Sequence, residues 1–173
     1  MLERKNIVLI GFMGSGKTVV GRELAKILSY ELKDTDSIIE ERTKKKIEDI
    51  FLQEGEDHFR NIEAQVIDEL SSLRKKVISC GGGAILRKEN VLVLKETGVL
   101  IYLKAPFEVL YDRIKMSTNR PLLKVKEPEQ AAKKLLEARQ HAYEQVADFS
   151  VDVSDRPISE IVSEIEKRVR ENS

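Results

Sequence analysis

The residues best suited to chemistry lie in GFMGSGKT, Gly11 to Thr18. The run satisfies G-x-x-x-x-G-K-[ST], the pattern of a loop that wraps phosphate groups. Its glycines let the backbone turn with N–H groups facing inward, in conformations that a Cβ hinders. Those groups and the N-terminus of a following helix form an anion nest. Lys17 adds a full positive charge toward the outer phosphates, and Thr18 offers a hydroxyl to Mg²⁺. Gly14, Ser15, Gly16, Lys17, Thr18 and Val19 are therefore expected to bind a nucleoside triphosphate, with ATP the expected one. The flanks agree, since KNIVLI before the loop reads as a buried strand and VVGRELAKIL after it as a helix.

A nucleotide site alone does not separate a phosphoryl-transfer enzyme from a switch or a motor, so acceptor-side residues are needed. DTD carries Asp34 and Asp36 at the end of a short strand, YELKD. Residues at i and i+2 of an extended stretch point the same way, which would aim both carboxylates at one place. The bland alternative is that Asp36 only caps the next helix. Arg60 and Glu63 in EGEDHFRNIE share a helix face and can pair, and a surface ion pair of little energetic consequence is the competing reading. Gly81, Gly82 and Gly83 follow a strand, KVISC, where bare backbone lets a ligand approach closely. Arg139 in LLEARQHAYEQ would, taken alone, be a solvated helix residue. KMSTNRPLLKVKEP, Lys115 to Pro128, fits neither helical nor strand period, and is either a plain connection or a lid over the site.

The elements that must position these residues alternate between strand and helix. Strand-like runs are NIVLI, YELKD, KVISC, VLIYLK and FSVDV, each followed by residues with helical spacing. That alternation predicts a three-layer α/β/α fold around a five-stranded parallel sheet, in one domain spanning residues 1–173. Hydrophobic residues make up 41% of the chain, enough for a core. Lys+Arg and Asp+Glu each number 30, and this balance argues against a nucleic-acid or membrane-surface binder. One cysteine, Cys80, excludes an intrachain disulfide and a thiolate metal cluster. MLERKN has no apolar core for a signal peptide, and no apolar run is long enough to span a membrane, so a cytoplasmic location is expected. With no long exposed apolar stripe, a monomer is expected.

Taken together, GFMGSGKTVVGRELA, DTDSIIEE, IFLQEGEDHFRNIE, ISCGGGA, NRPLL and EARQHAYEQVAD resemble the shikimate kinase family, in its order and at about its spacing, over nearly the whole chain. The resemblance implies a P-loop fold related to nucleoside monophosphate kinases. It implies transfer of the γ-phosphoryl of ATP to the 3-hydroxyl of shikimate, giving shikimate 3-phosphate and ADP on the route to chorismate and aromatic amino acids. By resemblance, Thr18 and Asp34 hold Mg²⁺, and Asp36 hydrogen-bonds the acceptor hydroxyl and takes its proton. Arg60, Arg139 and the Gly81–Gly83 backbone bind shikimate, with Glu63 supporting Arg60. Lys17, Asp36 and Arg120 form the catalytic set, Arg120 from a mobile lid around 115–127. Arg113 and Arg156 resemble adenine-side residues. Residues around 36–63 form the substrate-binding helical segment. Two departures stand out. Val19 occupies a position where the family usually has Ser or Thr, so one α-phosphate contact is expected to be lost. No Walker B aspartate is visible in VLIYLK, which weakens a motor ATPase reading and fits a metal role for DTD. The rival readings are a kinase for gluconate or a nucleoside monophosphate, and a nucleotide-binding regulatory domain without turnover.

Overall fold

Every apolar run singled out as a strand forms one in a computed structural model of the protein, which describes residues 5–116 and 120–171. The reading of Met1 to Arg4, and the part of the 115–127 segment at residues 117–119, lie outside those residues. The strands are β1 (Asn6–Ile10), β2 (Glu31–Asp34), β3 (Lys76–Ser79), β4 (Gly98–Lys104) and β5 (Phe149–Asp152). They pair in parallel in the order β2-β3-β1-β4-β5. β1 is thus the central strand, flanked by β3 and β4 on either side of a reversal in strand order. Ligands bind beyond the carboxyl ends of the strands at such a point.

Alternation along β1 sorts two cores. Ile7 and Leu9 face one side with Val20 and Leu24 of α1 (Lys17–Leu28) and Ile161 and Ile165 of α8 (Ile158–Glu171). Val8 and Ile10 face the other side. There they meet α2 (Thr35–Thr43), α3 (Ile47–Glu54), α4 (Glu56–Ser71), α5 (Lys88–Thr97), α6 (Phe107–Ile114) and α7 (Pro128–Val146), through Ile39, Ile50, Ile67, Leu94, Leu110 and Tyr143 respectively. Three layers result, as the alternation predicts. Among the described residues no helix is long and apolar enough to cross a membrane.

Local chemistry explains the boundaries. Gly55 ends α3 and starts α4 with φ 87°. The helix after DTD stops at Thr43, because Lys44 turns left-handed at φ 57°. Lys44 to Lys46 link α2 to α3, with Lys45 paired to Glu54 and Lys46 to Glu40. Single 3₁₀ turns at Ala84–Leu86 and Pro121–Leu123 follow the triple glycine and Arg120. Periods of 2 and 3.6 do not register turns this short.

Candidate active site

The phosphate loop joins β1 to α1, and Gly16 is the hinge. It is the N-cap of α1 at φ 86°, with no side-chain cap bond. The first-turn N–H groups are thereby left to a ligand, the arrangement that makes a helix N-terminus an anion site. Lys17 lies over the loop, its Nζ donating to Gly11 O at 2.8 Å and Phe12 O at 3.1 Å. Burial lowers its pKa to about 8, with Asp36 opposing that shift and Arg120 adding to it.

Thr18 Oγ1 donates to Asp34 Oδ2 at 2.8 Å. Asp34, not Asp36, is the N-cap of α2, its Oδ1 accepting from Ser37 N at 3.0 Å. The extended geometry expected for DTD is corrected here. The strand ends at Asp34, and Asp36 sits in the first helical turn. Its carboxyl pKa is raised to about 6 by burial, then by Asp34 and Glu63, against the opposing charges of Lys17 and Arg120. Thr18 and Asp34 present two hard oxygens 2.8 Å apart. That donor set suits Mg²⁺, which takes one or two protein oxygens and fills the rest from water and phosphate.

Arg60, Glu63 and Arg139 are more buried than spacing conveys. Arg60 Nη1 donates to Glu63 Oε1 at 2.9 Å and Nη2 to Glu56 Oε1 at 3.2 Å. The Arg60 side chain is 11% exposed and that of Glu63 1%, so the surface-pair reading is overturned. Burial raises the Glu63 pKa, with Arg60, Arg139 and Arg87 opposing. Arg139 is also buried, on α7, contrary to its solvated reading in isolation. The triple glycine is what lets these groups close in. A Cβ on Gly81 would stand 2.7 Å from Asp36 Oδ1 and 2.9 Å from Glu63 Oε2, and one on Gly83 would stand 2.6 Å from Arg60 Cζ. None of the three needs a left-handed backbone; space is the reason for glycine.

All these groups line one cavity of about 540 Å³, together with Gly14, Gly16, Val19 and Arg120. Four buried side-chain atoms have no hydrogen-bond partner among the described residues: Asp36 Oδ1, Glu63 Oε2, Arg120 Nε and Arg139 Nε. Every one belongs to a residue lining this cavity. Buried polar atoms are rarely left unpaired, and four at one cavity fit a polar, partly anionic ligand.

Arg113 and Arg156 are set apart. They line a second cavity of about 310 Å³ with Ser15, Val153 and Ile158, which shares Gly14, Gly16 and Val19 with the first. Arg113 donates to Gly14 O and to Val153 O, both at 3.1 Å. Arg156 donates to Asp152 O at 2.9 Å and Glu164 Oε2 at 2.8 Å. The residues expected to hold nucleotide are thus split between two adjoining cavities. Glu40, Lys46, Glu48, Pro121 and Leu122, none of them singled out in the sequence, also line the first cavity. Sequence reasoning missed the apolar wall of Phe51 and Phe59, whose rings lie 4.9 Å apart. Nothing local in the sequence shows that Phe51 faces a site. His58 pairs with Glu54 outside the cavity, and among the described residues no cluster of acidic, His or Cys side chains could hold a metal by itself.

A family model described as shikimate kinase matches residues 13–170. A shikimate kinase of Thermodesulfovibrio yellowstonii is 45% identical over 163 residues, which is 94% of either chain. Among solved structures, shikimate kinase from Acinetobacter baumannii in complex with shikimate superposes with a TM-score of 0.94 at 39% identity, covering 98% of this chain and 94% of that one. A gluconokinase from Sinorhizobium meliloti reaches a TM-score of 0.65 at 23% identity, over 96% of this chain and 92% of its own, a likeness of fold alone.

Proposed function

The chain belongs to the shikimate kinase family, and from that footing we propose that it transfers the γ-phosphoryl of ATP to the 3-hydroxyl of shikimate, in the synthesis of chorismate and aromatic amino acids. The observation that carries this reading is the set of four unpartnered buried polar atoms around one cavity, between the phosphate loop and the triple glycine. Two are on arginines and two on carboxylates. Arg139 suits a substrate carboxylate, Arg120 a phosphoryl group, and the two carboxylates accept from hydroxyls, so a hydroxy acid beside a nucleotide satisfies the set.

In this reading Arg60 and Arg139 hold the acid against Gly81–Gly83, and Glu63 keeps Arg60 in place. Asp36 accepts a hydrogen bond from the acceptor hydroxyl. The hydroxyl oxygen attacks the γ-phosphorus in line, the bond from that phosphorus to the bridging oxygen breaks, ADP leaves, and the hydroxyl proton ends on Asp36. Lys17, the α1 N-terminus and Arg120 stabilise charge spread over the transferring group. Thr18 and Asp34 hold Mg²⁺, which supplies charge neutralisation at the phosphates. Gly14, Ser15, Gly16 and Val19 cradle the phosphates, and Arg113 and Arg156 flank the base. Residues 36–63 serve as the substrate-binding segment, and those around 115–127 as a lid that excludes water. The balanced charge supports a protein that engages neither nucleic acid nor membrane, and we read it as a cytoplasmic monomer.

The test is ADP release with Mg·ATP, with and without shikimate, on the wild type and Asp36→Asn. Shikimate-dependent turnover that collapses in the variant is expected. Turnover that survives in the variant removes the role given to Asp36. Turnover with gluconate and none with shikimate overturns the reading.

A further inference from the structure

One buried hydroxyl near the proposed reaction centre has no part in that chemistry. Thr35, between Asp34 and Asp36, is 0% exposed. Its Oγ1 accepts a hydrogen bond from Gly81 N at 2.9 Å. The sheet explains why a side chain is needed there. β2 and β3 pair in parallel up to Asp34 opposite Ser79. Beyond Ser79 the next two amides reach opposite neighbours. Cys80 N donates to Leu9 O of β1 at 3.1 Å, and Gly81 N turns to the β2 side. On that side the chain has already entered α2, and a helical residue commits its carbonyl to its own helix. The Thr35 hydroxyl stands where a ladder carbonyl would be.

This contact joins two closely spaced segments. Asp36 Oδ1 lies where it would be 2.7 Å from a Cβ on Gly81, and Glu63 Oε2 2.9 Å. Gly82, next along, accepts from the Tyr143 hydroxyl. The glycine turn is therefore tied on one flank to α2 and on the other to α7.

We propose that Thr35 is a positioning residue for the acceptor: its hydroxyl extends the β2–β3 ladder by one bond and so sets the gap between Gly81 and the Asp36 carboxylate in which the acceptor hydroxyl must fit. This rests on the kinase reading above. A hydroxyl at this position is required, and the methyl group is secondary.

The test compares Thr35→Val, which keeps the shape, with Thr35→Ser, which keeps the hydroxyl. The Val variant is expected to lose about tenfold or more in kcat with shikimate, the scale of one buried amide left unpaired. Its KM for ATP is expected to stay within about twofold, since the phosphate loop does not use Thr35. The Ser variant recovers most of the kcat. Amide exchange at Gly81, followed by NMR without substrates, is expected to speed up in the Val variant and not in the Ser variant. Thr35→Ala is read in the same way if the Val variant does not fold. Unchanged Gly81 exchange, a wild-type kcat in the Val variant, or parallel losses in kcat, ATP KM and melting temperature in both variants overturns the proposal. A wild type with no shikimate-dependent turnover overturns the kinase reading instead, before any variant is compared.

Discussion

Thr18 and Asp34 are joined by a 2.8 Å hydrogen bond that ties the phosphate loop to the end of β2. The two oxygens of Asp34 have separate tasks. Oδ2 faces Thr18, while Oδ1 caps α2 through Ser37 N. One carboxylate thus serves both the proposed metal site and the helix that carries Asp36.

Substitution can separate the two tasks. Asn caps a helix as well as Asp does but lacks the charge. Asp34→Asn is expected to leave the unfolding free energy within about 0.5 kcal/mol while raising the Mg²⁺ needed for half-maximal turnover about tenfold. Asp34→Ala loses the cap as well, at about 1 kcal/mol. Urea unfolding and a Mg²⁺ titration of ADP release read the two effects.

Two opposed shifts set a pH window. In the proposed mechanism Asp36 accepts a proton and must be ionised, and burial together with Asp34 and Glu63 raises its pKa to about 6. Lys17, proposed to meet phosphate, must be charged for that role, and burial lowers its pKa to about 8. The kcat/KM for ATP is expected to fall below the first value and above the second. Bound phosphate favours the charged lysine, so the alkaline limb of kcat should lie higher than that of kcat/KM. A profile flat from pH 5 to 9 contradicts both assignments.

The same carboxyl lowers stability. A native pKa raised from 3.8 to about 6 means that the folded state binds the Asp36 proton more tightly than the unfolded state. Stability contributed by this group is therefore present below pH 3.8 and lost as pH rises through 6. Asp36→Asn is expected to be more stable than wild type at pH 7 by an amount on the order of 3 kcal/mol, with the gain vanishing at acid pH. Turnover should fall by about 10² or more. Unfolding curves at the two pH values, beside the ADP assay, check the exchange of stability for activity.

Gly83 and Arg60 offer a test of the acceptor wall. An alanine Cβ at position 83 would stand 2.6 Å from Arg60 Cζ, the far end of a flexible side chain. The guanidinium would be pushed aside and the fold kept. Gly83→Ala is expected to raise the KM for shikimate about tenfold and leave that for ATP within about twofold. An unchanged KM for shikimate would remove Arg60 from the carboxylate clamp.

The phosphate loop and the five strands were legible because their signals are local. Glycine spacing and apolar runs each depend on a few neighbouring residues. Arg60 and Arg139 were not legible as buried groups. An i, i+3 pair looks the same on a wet face or a dry one, and Arg139 is enclosed only because α7 folds back onto the glycine turn. DTD misled for a related reason: the strand ends within the motif, and the cap role goes to Asp34 rather than Asp36. The triple glycine signalled a close approach without its cause, since the groups that need the space lie on α2 and α4, far along the chain. The family resemblance supplied roles that spacing could not.

The strand order has a consequence for synthesis. The phosphate loop, DTD, Arg60 and the triple glycine all lie before residue 84, while Arg120 and Arg139 come from the second half of the chain and return to the same cavity. A growing polypeptide holds one side of the cleft long before the other exists. The central strand cannot gain its β4 neighbour until Gly98–Lys104 has emerged, and the second arginine of the proposed clamp arrives only with α7. Catalytic competence is thus among the last properties the nascent chain acquires, and a fragment ending short of Arg139 would carry a phosphate loop with half an acceptor site.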